Sequence, residues 1–336
     1  GTTNVGGKLD ASAPNSEDGG FIETSAKNVK INDEAVITTA APKGKTGTWL
    51  IDPYDFTIAA SGGDVTGAAL TTALASSSVT IQTLSGSVSC TGVTCGSGNS
   101  SGNGDIFVND NITWSQNTLT LNAYRNIEIN SELFGSGTAQ LSLLYGQGAV
   151  ALGNTAIYDV NAPVNLPAGN NFSTKLGSNG TTVSYYVITN LGADGSRTGT
   201  DLQGIQGFLA RNYALGGNID ATETSGWDTG KGFSPLGNTA GMNVFTGQFD
   251  GLGHSITNLT INRPSQNGVG LFGYISPASI LRNVGLLGGS VSGYYHVGGL
   301  VGGNEAGTIM NAYSTGSVTG GGYSVGGPGV LRRWEK

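Results

Sequence analysis

The sequence predicts an all-β fold, a right-handed parallel β-helix with short helical interruptions, on three observations. Glycine supplies 58 of the 336 residues and charged residues only 11%, too few for helices with solvated Lys/Glu faces to dominate. Short runs of β-branched, aliphatic and aromatic residues recur along the chain, each bounded by Gly, Asn or Asp. In the second half a pattern returns at a fixed step: Val269, Val297 and Val325 lie 28 residues apart, and Asn283 and Asn311 keep that step.

In chain order the expected strands are 28–31, 36–39, 49–51, 56–59, 79–83, 105–108, 119–122, 127–129 and 141–144. Alternation is clearest in Leu119-Thr120-Leu121-Asn122 and Ile127-Glu128-Ile129-Asn130, where every second side chain enters a core and the others face water. Two stretches read as helical. Residues 65–75 collect Ala68, Ala69, Leu70, Ala73 and Leu74, and residues 201–213 place Leu202, Ile205, Phe208 and Leu209 on one stripe behind Asp201 as N-cap.

Farther on, Gly289-Ser-Val-Ser-Gly293 returns as Gly316-Ser-Val-Thr-Gly320. A repeat of this length cannot bury its apolar side chains alone, so neighbours must stack into a continuous core. Val269, Val297 and Val325 are then expected in equivalent inward positions. The Pro- and Asn-rich stretch 161–180 marks a division near residue 160. Residues 1–160 form one set of β-helix repeats with a Ser/Gly/Cys loop insertion, and 161–336 a second segment with the 28-residue glycine-rich repeats.

Fifteen Lys and Arg against 22 Asp and Glu leave a net charge of -7. This predicts no nucleic-acid partner, because phosphate backbones are bound by clustered cations. The uncharged stretch from Val65 to Gly104 is rich in Ser, Thr and Gly and holds no apolar run of the ~20 residues a membrane helix needs; no membrane span is expected. The chain opens at Gly1 without a charged-then-apolar leader, so any export signal is expected upstream or already removed. Cys90 and Cys95 enclose four residues, and a disulfide closing this short loop in an oxidising compartment is expected, with two free thiols the alternative; a metal site there lacks further ligands.

Acid/base catalysis needs clustered carboxylates with displaced pKa values. Asp52 and Asp55 flank Pro53-Tyr54, while Asp105 and Asp110 lie in adjacent segments; all four read as turn or corner residues. Gly98-Asn-Ser-Ser-Gly102 matches a nucleophile elbow by letter, but in a Ser/Gly-rich loop rather than at a strand-to-helix turn. Gly102-Asn-Gly-Asp105 is a single imperfect echo of a calcium-binding repeat that works only in tandem. His254 and His296 are read as corner or surface residues. Tyr185-Tyr186 and Tyr294-Tyr295 are read as strand-packing residues, with sugar stacking the alternative. No catalytic residue, cofactor or metal is expected.

Gly19-Gly-Phe-Ile-Glu-Thr-Ser25, Val29-Lys-Ile-Asn32 and Trp49-Leu-Ile-Asp-Pro-Tyr-Asp-Phe-Thr-Ile58 resemble a segment of two-partner-secreted adhesins of the filamentous haemagglutinin and high-molecular-weight adhesin type. Asn103-Gly-Asp-Ile-Phe-Val108, Ile112-Thr-Trp114 and Leu119-Thr-Leu-Asn-Ala123 look like the repeats that follow it, and the glycine-rich units from Val269 onward are similar to the GLUG repeat. The resemblance implies a secreted or bacterial cell-surface shaft, exported through an outer-membrane partner transporter and meeting a glycan or protein receptor on host cells or surfaces. The amino-terminal secretion domain of that family has no counterpart in this stretch. Some adhesins of this type are glycosylated at Asn-x-Ser/Thr sites, here Asn99, Asn111, Asn171, Asn179 and Asn258. Asn111, ahead of the strand-like Ile112-Thr113-Trp114, is expected to be less accessible than Asn99 or Asn179. The function expected is display and attachment without catalysis. A self-associating filament or matrix protein and a β-helix polysaccharide lyase or hydrolase are the rivals.

Overall fold

A computed structural model describes residues 1–15, 17–84, 102–237, 243–323, 325–326 and 330–331. The chain is all-β with mostly parallel sheets and forms two compact units: Gly1–Leu166 with Asn171–Ser184, and Pro167–Asn170 with Tyr185–Lys336. Each of the strands expected from the sequence forms, within one or two residues of the expected bounds.

In the first unit the strands recur as successive triples, and each triple pairs with the next. Ser78–Gln82, Ile106–Val108 and Ile112–Trp114 precede Thr118–Asn122, Ile127–Ile129 and Leu133–Gly135, which precede Gln140–Tyr145, Tyr158–Val160 and Val164–Asn165. Like members are parallel and in register: Leu119 lies between Val79 and Leu141, Ile127 between Ile106 and Tyr158, and Leu133 between Ile112 and Val164. Register converts alternation into columns. Trp49, Val79, Leu119 and Leu141 form one buried column, and Ile51, Ile81, Leu121 and Leu143 the next, while Leu50, Thr80, Thr120 and Ser142 occupy the outward positions between them. Each fully buried aliphatic side chain contributes about 1.5–3 kcal/mol. The indole of Trp49 is also satisfied, because Nε1 donates to Thr24 Oγ1 at 3.1 Å.

The expected first helix is present as Gly67–Leu74, with Gly67, Ala69, Leu70, Ala73 and Leu74 buried. Thr66 caps it, its hydroxyl accepting from the Ala69 amide at 3.2 Å. The corners between strands are fastened by side chains. Asn130 Nδ2 donates to Asn109 Oδ1, and Asn161 Nδ2 to Asn130 Oδ1, both at 2.8 Å, so each exposed carboxamide serves its neighbour in the column.

In the second unit Tyr213–Leu215, Gln248–Asp250, Ile280–Leu287 and Thr308–Ser314 pair in parallel, with Tyr213, Phe249, Leu281 and Ile309 in one register column. Thr260–Asn262, Ser290–Gly293 and Ser317–Gly320 make a second sheet. Phe272 packs between Phe245 and Phe249, with ring centroids 4.8 and 5.2 Å away. Val269 bridges Val297, and Val297 bridges Val325, as the 28-residue step requires. Val269 and Val297 are buried, but Val325 is 40% exposed and does not share their burial.

The helix expected over 201–213 is not there. Gln203–Gly207 is a short 3-10 turn. Leu202 and Ile205 are buried as expected, whereas Phe208 is 44% exposed, outside the apolar stripe. Glycine explains the difference: a Cβ at Gly207 would overlap the Arg197 carbonyl, and one at Gly204 would press on Thr198 and Asp201. The backbone is held to its own loop too closely for an α-helical side-chain face. The N-cap of this turn is Leu202 rather than Asp201, which sits one residue earlier and accepts from the Gly204 amide at 2.6 Å.

Candidate binding surface

The carboxylates that sequence singled out do not converge on one place. Asp55 Oδ1 accepts from the Gly104 and Asp105 amides at 2.7 and 2.9 Å. Asp105 is buried, receives Arg125 Nε at 2.8 Å, and also accepts from the Asn126 amide. Asp110 takes the Gly67 amide at 2.8 Å, at the start of the helix, where partial positive charge favours a carboxylate. These three tie corners together. Asp52 differs: burial, and then the negative charge of Glu23, pushes its carboxyl up to about 6. Glu23 is held by the Ser25 hydroxyl at 2.6 Å, and Ser25 pairs with Asp52 across adjacent strands.

Lys30, Asn32, Asp33, Glu34, Asp64 and Thr66 line an open groove of about 560 Å³. Its lysine is engaged, bonding Asp64 at 2.7 Å and the Gly63 carbonyl at 2.8 Å. Thr66 donates to Asp33 at 2.7 Å. Lys30, Asp33, Asp64 and Thr66 are thus engaged within the groove itself.

His254, read as a corner or surface residue, does sit at a corner, in the turn Gly251-Leu-Gly-His, but is buried, 2% exposed; the Gly285 amide of the strand Ile280–Leu287 donates to its carbonyl at 3.1 Å. His296 is exposed at a positive φ of 53°. Among the described residues no three His, Cys, Asp or Glu side chains gather as metal ligands. Nor is any helix of the described residues long and apolar enough to cross a membrane.

Cys90, Cys95, Asn99 and residues 98–101 of the Ser/Gly loop lie outside the described residues. Asn179 and Asn258 are exposed, and Asn171 is half-buried in the strand Gly169–Leu176. Asn111, expected to be less accessible than Asn99 or Asn179, is exposed, as Asn179 is; Asn99, in the other half of that comparison, is outside the described residues. Ile112 and Trp114 take the inward positions, so parity turns Asn111 and Thr113 outward, and Asn111 is exposed. Its Oδ1 accepts from the Glu132 amide at 3.0 Å.

The two tyrosine pairs separate. Tyr185 is 1% exposed, its hydroxyl donating to Gln248 at 2.7 Å, and belongs to the core. Tyr294 is 40% exposed and stands beside Tyr295, with centroids 4.1 Å apart. Tyr295 Oη donates to Tyr294 Oη at 3.3 Å, and this bond holds the Tyr295 phenol above its ordinary pKa. One repeat later, Tyr323 is 84% exposed and its ring lies 6.2 Å from that of Tyr295, the planes 9° apart. Asn267, Tyr295 and Tyr323 each stand two residues before a bridged valine, so they occupy one column. Sequence reasoning saw the Tyr294-Tyr295 pair but not Tyr323, which the 28-residue step places directly after it.

The GLUG motif matches residues 293–319, which begin at this corner. Over 148 residues, 42% of the chain, the protein is 45% identical to halomucin of Haloquadratum walsbyi. Over 138 residues, 40% of the chain, it is 33% identical to a putative Gly-rich membrane protein of Evansella cellulosilytica. The matched stretches span 2% and 15% of those two proteins. No solved structure matches the chain.

Proposed function

We propose that this chain is a segment of the shaft of an extracellular or surface-displayed repeat protein, folded as a right-handed parallel β-helix, whose work is display and attachment without bond chemistry. The observation that carries this reading is the in-register pairing of successive strand triples, which stacks repeats into columns with their apolar side chains inward. The GLUG match and the likeness to halomucin support a repeat-bearing surface protein. The two-partner-secreted adhesin type rests on the segments 19–32 and 49–58. Receptor contact and export through a partner transporter follow from that assignment. So does the absence of catalysis, since Asp55, Asp105 and Asp110 are each committed to corner hydrogen bonds.

Protease shaving of intact native cells, followed by mass spectrometry, tests the placement: peptides from this chain should be released before cytoplasmic markers. Retention of all its peptides inside intact cells would overturn it. Time-resolved product release from a polysaccharide, lost in Asp52→Asn, would replace display with the enzyme reading.

A further inference from the structure

Tyr294, Tyr295 and Tyr323 are exposed or half-exposed at one corner, and their rings are positioned by backbone rather than by a packed core. The Tyr295 amide donates to Asn267 Oδ1 at 3.2 Å, and the Tyr294 amide to the Gln266 carbonyl at 2.8 Å. In the following repeat the Gly321 and Gly322 amides donate to Gly293 and Tyr294 at 3.1 and 3.0 Å. Those glycines make room: a Cβ at Gly322 would overlap the Tyr295 ring, and one at Gly321 would press on that of Tyr294. The Tyr294 and Tyr295 rings thus lie against the backbone of the next repeat before any ligand arrives, which lowers the ordering cost of binding.

The chemistry around the column narrows the occupant. Between Arg282 and Arg332 the sequence holds one charged residue, Glu305. This repeat itself offers an ionic polymer little counter-charge, whereas aromatic faces pack on the C–H faces of sugars and phenol hydroxyls exchange hydrogen bonds with sugar hydroxyls. We propose that this tyrosine column binds a neutral polysaccharide, with sugar rings on Tyr295 and Tyr323 and sugar hydroxyls on the Tyr294–Tyr295 phenol pair. The inference deepens the attachment reading above by naming the ligand class, and rests on it for access to the outside.

The test uses the purified 336-residue chain with soluble mannan and microcrystalline cellulose as neutral probes and chondroitin sulfate as the anionic one. Affinity for at least one neutral probe should be equal at low and high salt, and should fall by about tenfold or more in Tyr295→Ala/Tyr323→Ala. Tyr294→Phe/Tyr295→Phe, which keeps the faces and removes the hydroxyls, should retain part of it. If the double alanine variant loses its far-UV circular dichroism, Tyr323→Ala alone carries the comparison, since that ring is 84% exposed. Three results would overturn the proposal: no retention on either neutral probe, retention indifferent to the alanines, or binding to chondroitin sulfate alone. A dimer in sedimentation that the alanines dissolve would assign the column to a second copy of the chain and equally overturn it. Failure on glycans with positive shaving of intact cells removes this ligand and leaves surface display standing.

Discussion

Asn283→Ala is expected to cost about 3 kcal/mol, and the structure says where that comes from. Asn283 sits within the strand Ile280–Leu287, where pairing passes from Gln248–Asp250 to Ser255–Thr257, and the chain bends there at a φ of 55°. Alanine in that left-handed conformation costs about 1 kcal/mol more than asparagine or glycine. The side chain is 5% exposed, its Nδ2 donating to Asp250 Oδ1 at 3.0 Å and its Oδ1 accepting from Asn311 at 3.3 Å. Losing a hydrogen bond to a buried carboxylate costs about 1.5–3 kcal/mol. Asn283→Gly separates the two contributions, because it relieves the backbone and forfeits the bond. Urea titration followed by far-UV circular dichroism should therefore rank wild type above the glycine variant, and glycine above alanine by about 1 kcal/mol. Equal losses for Gly and Ala would show that the bend carries no strain. A loss near zero for both would show that the Asp250–Asn283–Asn311 ladder stabilises nothing.

Two further perturbations have signs fixed by local geometry. Gly67→Ala should destabilise by about 1–3 kcal/mol in the same titration, although helix propensity favours alanine by about 1 kcal/mol, because the new Cβ would overlap the Asn111 carbonyl; a more stable variant would mean that the strand beginning at Ile112 yields. Asp52, pushed up to about 6, binds its proton more tightly folded than unfolded, where a carboxyl titrates near ~3.9. The stability it lends is therefore complete below about pH 4 and lost as pH rises through about 6. Asp52→Asn, always neutral, should match wild type near pH 4 and melt higher at pH 7 and above by thermal circular dichroism; an offset constant across that range would refute the assignment.

What sequence disclosed depended on whether the cause was local. Leu119/Leu121 and Ile127/Ile129 were legible as inward pairs because a period of two reports parity directly, and Val269–Val297 because the step itself is the register. The 201–213 segment misled because its apolar spacing resembles a helix, while the decisive fact, the carbonyl of Arg197 against Gly207, comes from another part of the loop. Asn111 faces out because Ile112 and Trp114 are inward, a parity readable only once a buried anchor is known. Asp52 was noticed beside Asp55, yet what displaces it is first its burial and then the charge of Glu23 on the neighbouring strand, neither of which the adjacent residues show. The Asn283 and Asn311 recurrence was visible, but its reason, a left-handed bend repeated in two strands, is conformational.

In-register parallel pairing makes one residue type recurring at a fixed step into a straight column, and what that column does depends on the face it occupies. Inside, Ile81, Leu121 and Leu143 bury one another, so truncating Leu121 removes contacts on both sides. At a corner, Asn109, Asn130 and Asn161 satisfy one another through carboxamides, a pattern that costs nothing to extend because each member presents both donor and acceptor. Outside, Tyr295 and Tyr323 stack with no core to fill, and the glycines at 321 and 322 leave space for rings. The same position of the preceding repeat holds Asn267, whose side chain caps the Tyr295 amide rather than adding a ring. The aromatic column therefore begins at Tyr295, within the stretch that matches the GLUG motif. Each further ring in register adds a contact for an extended ligand already held by its neighbours, so avidity rises with the number of rings without any change in the individual site.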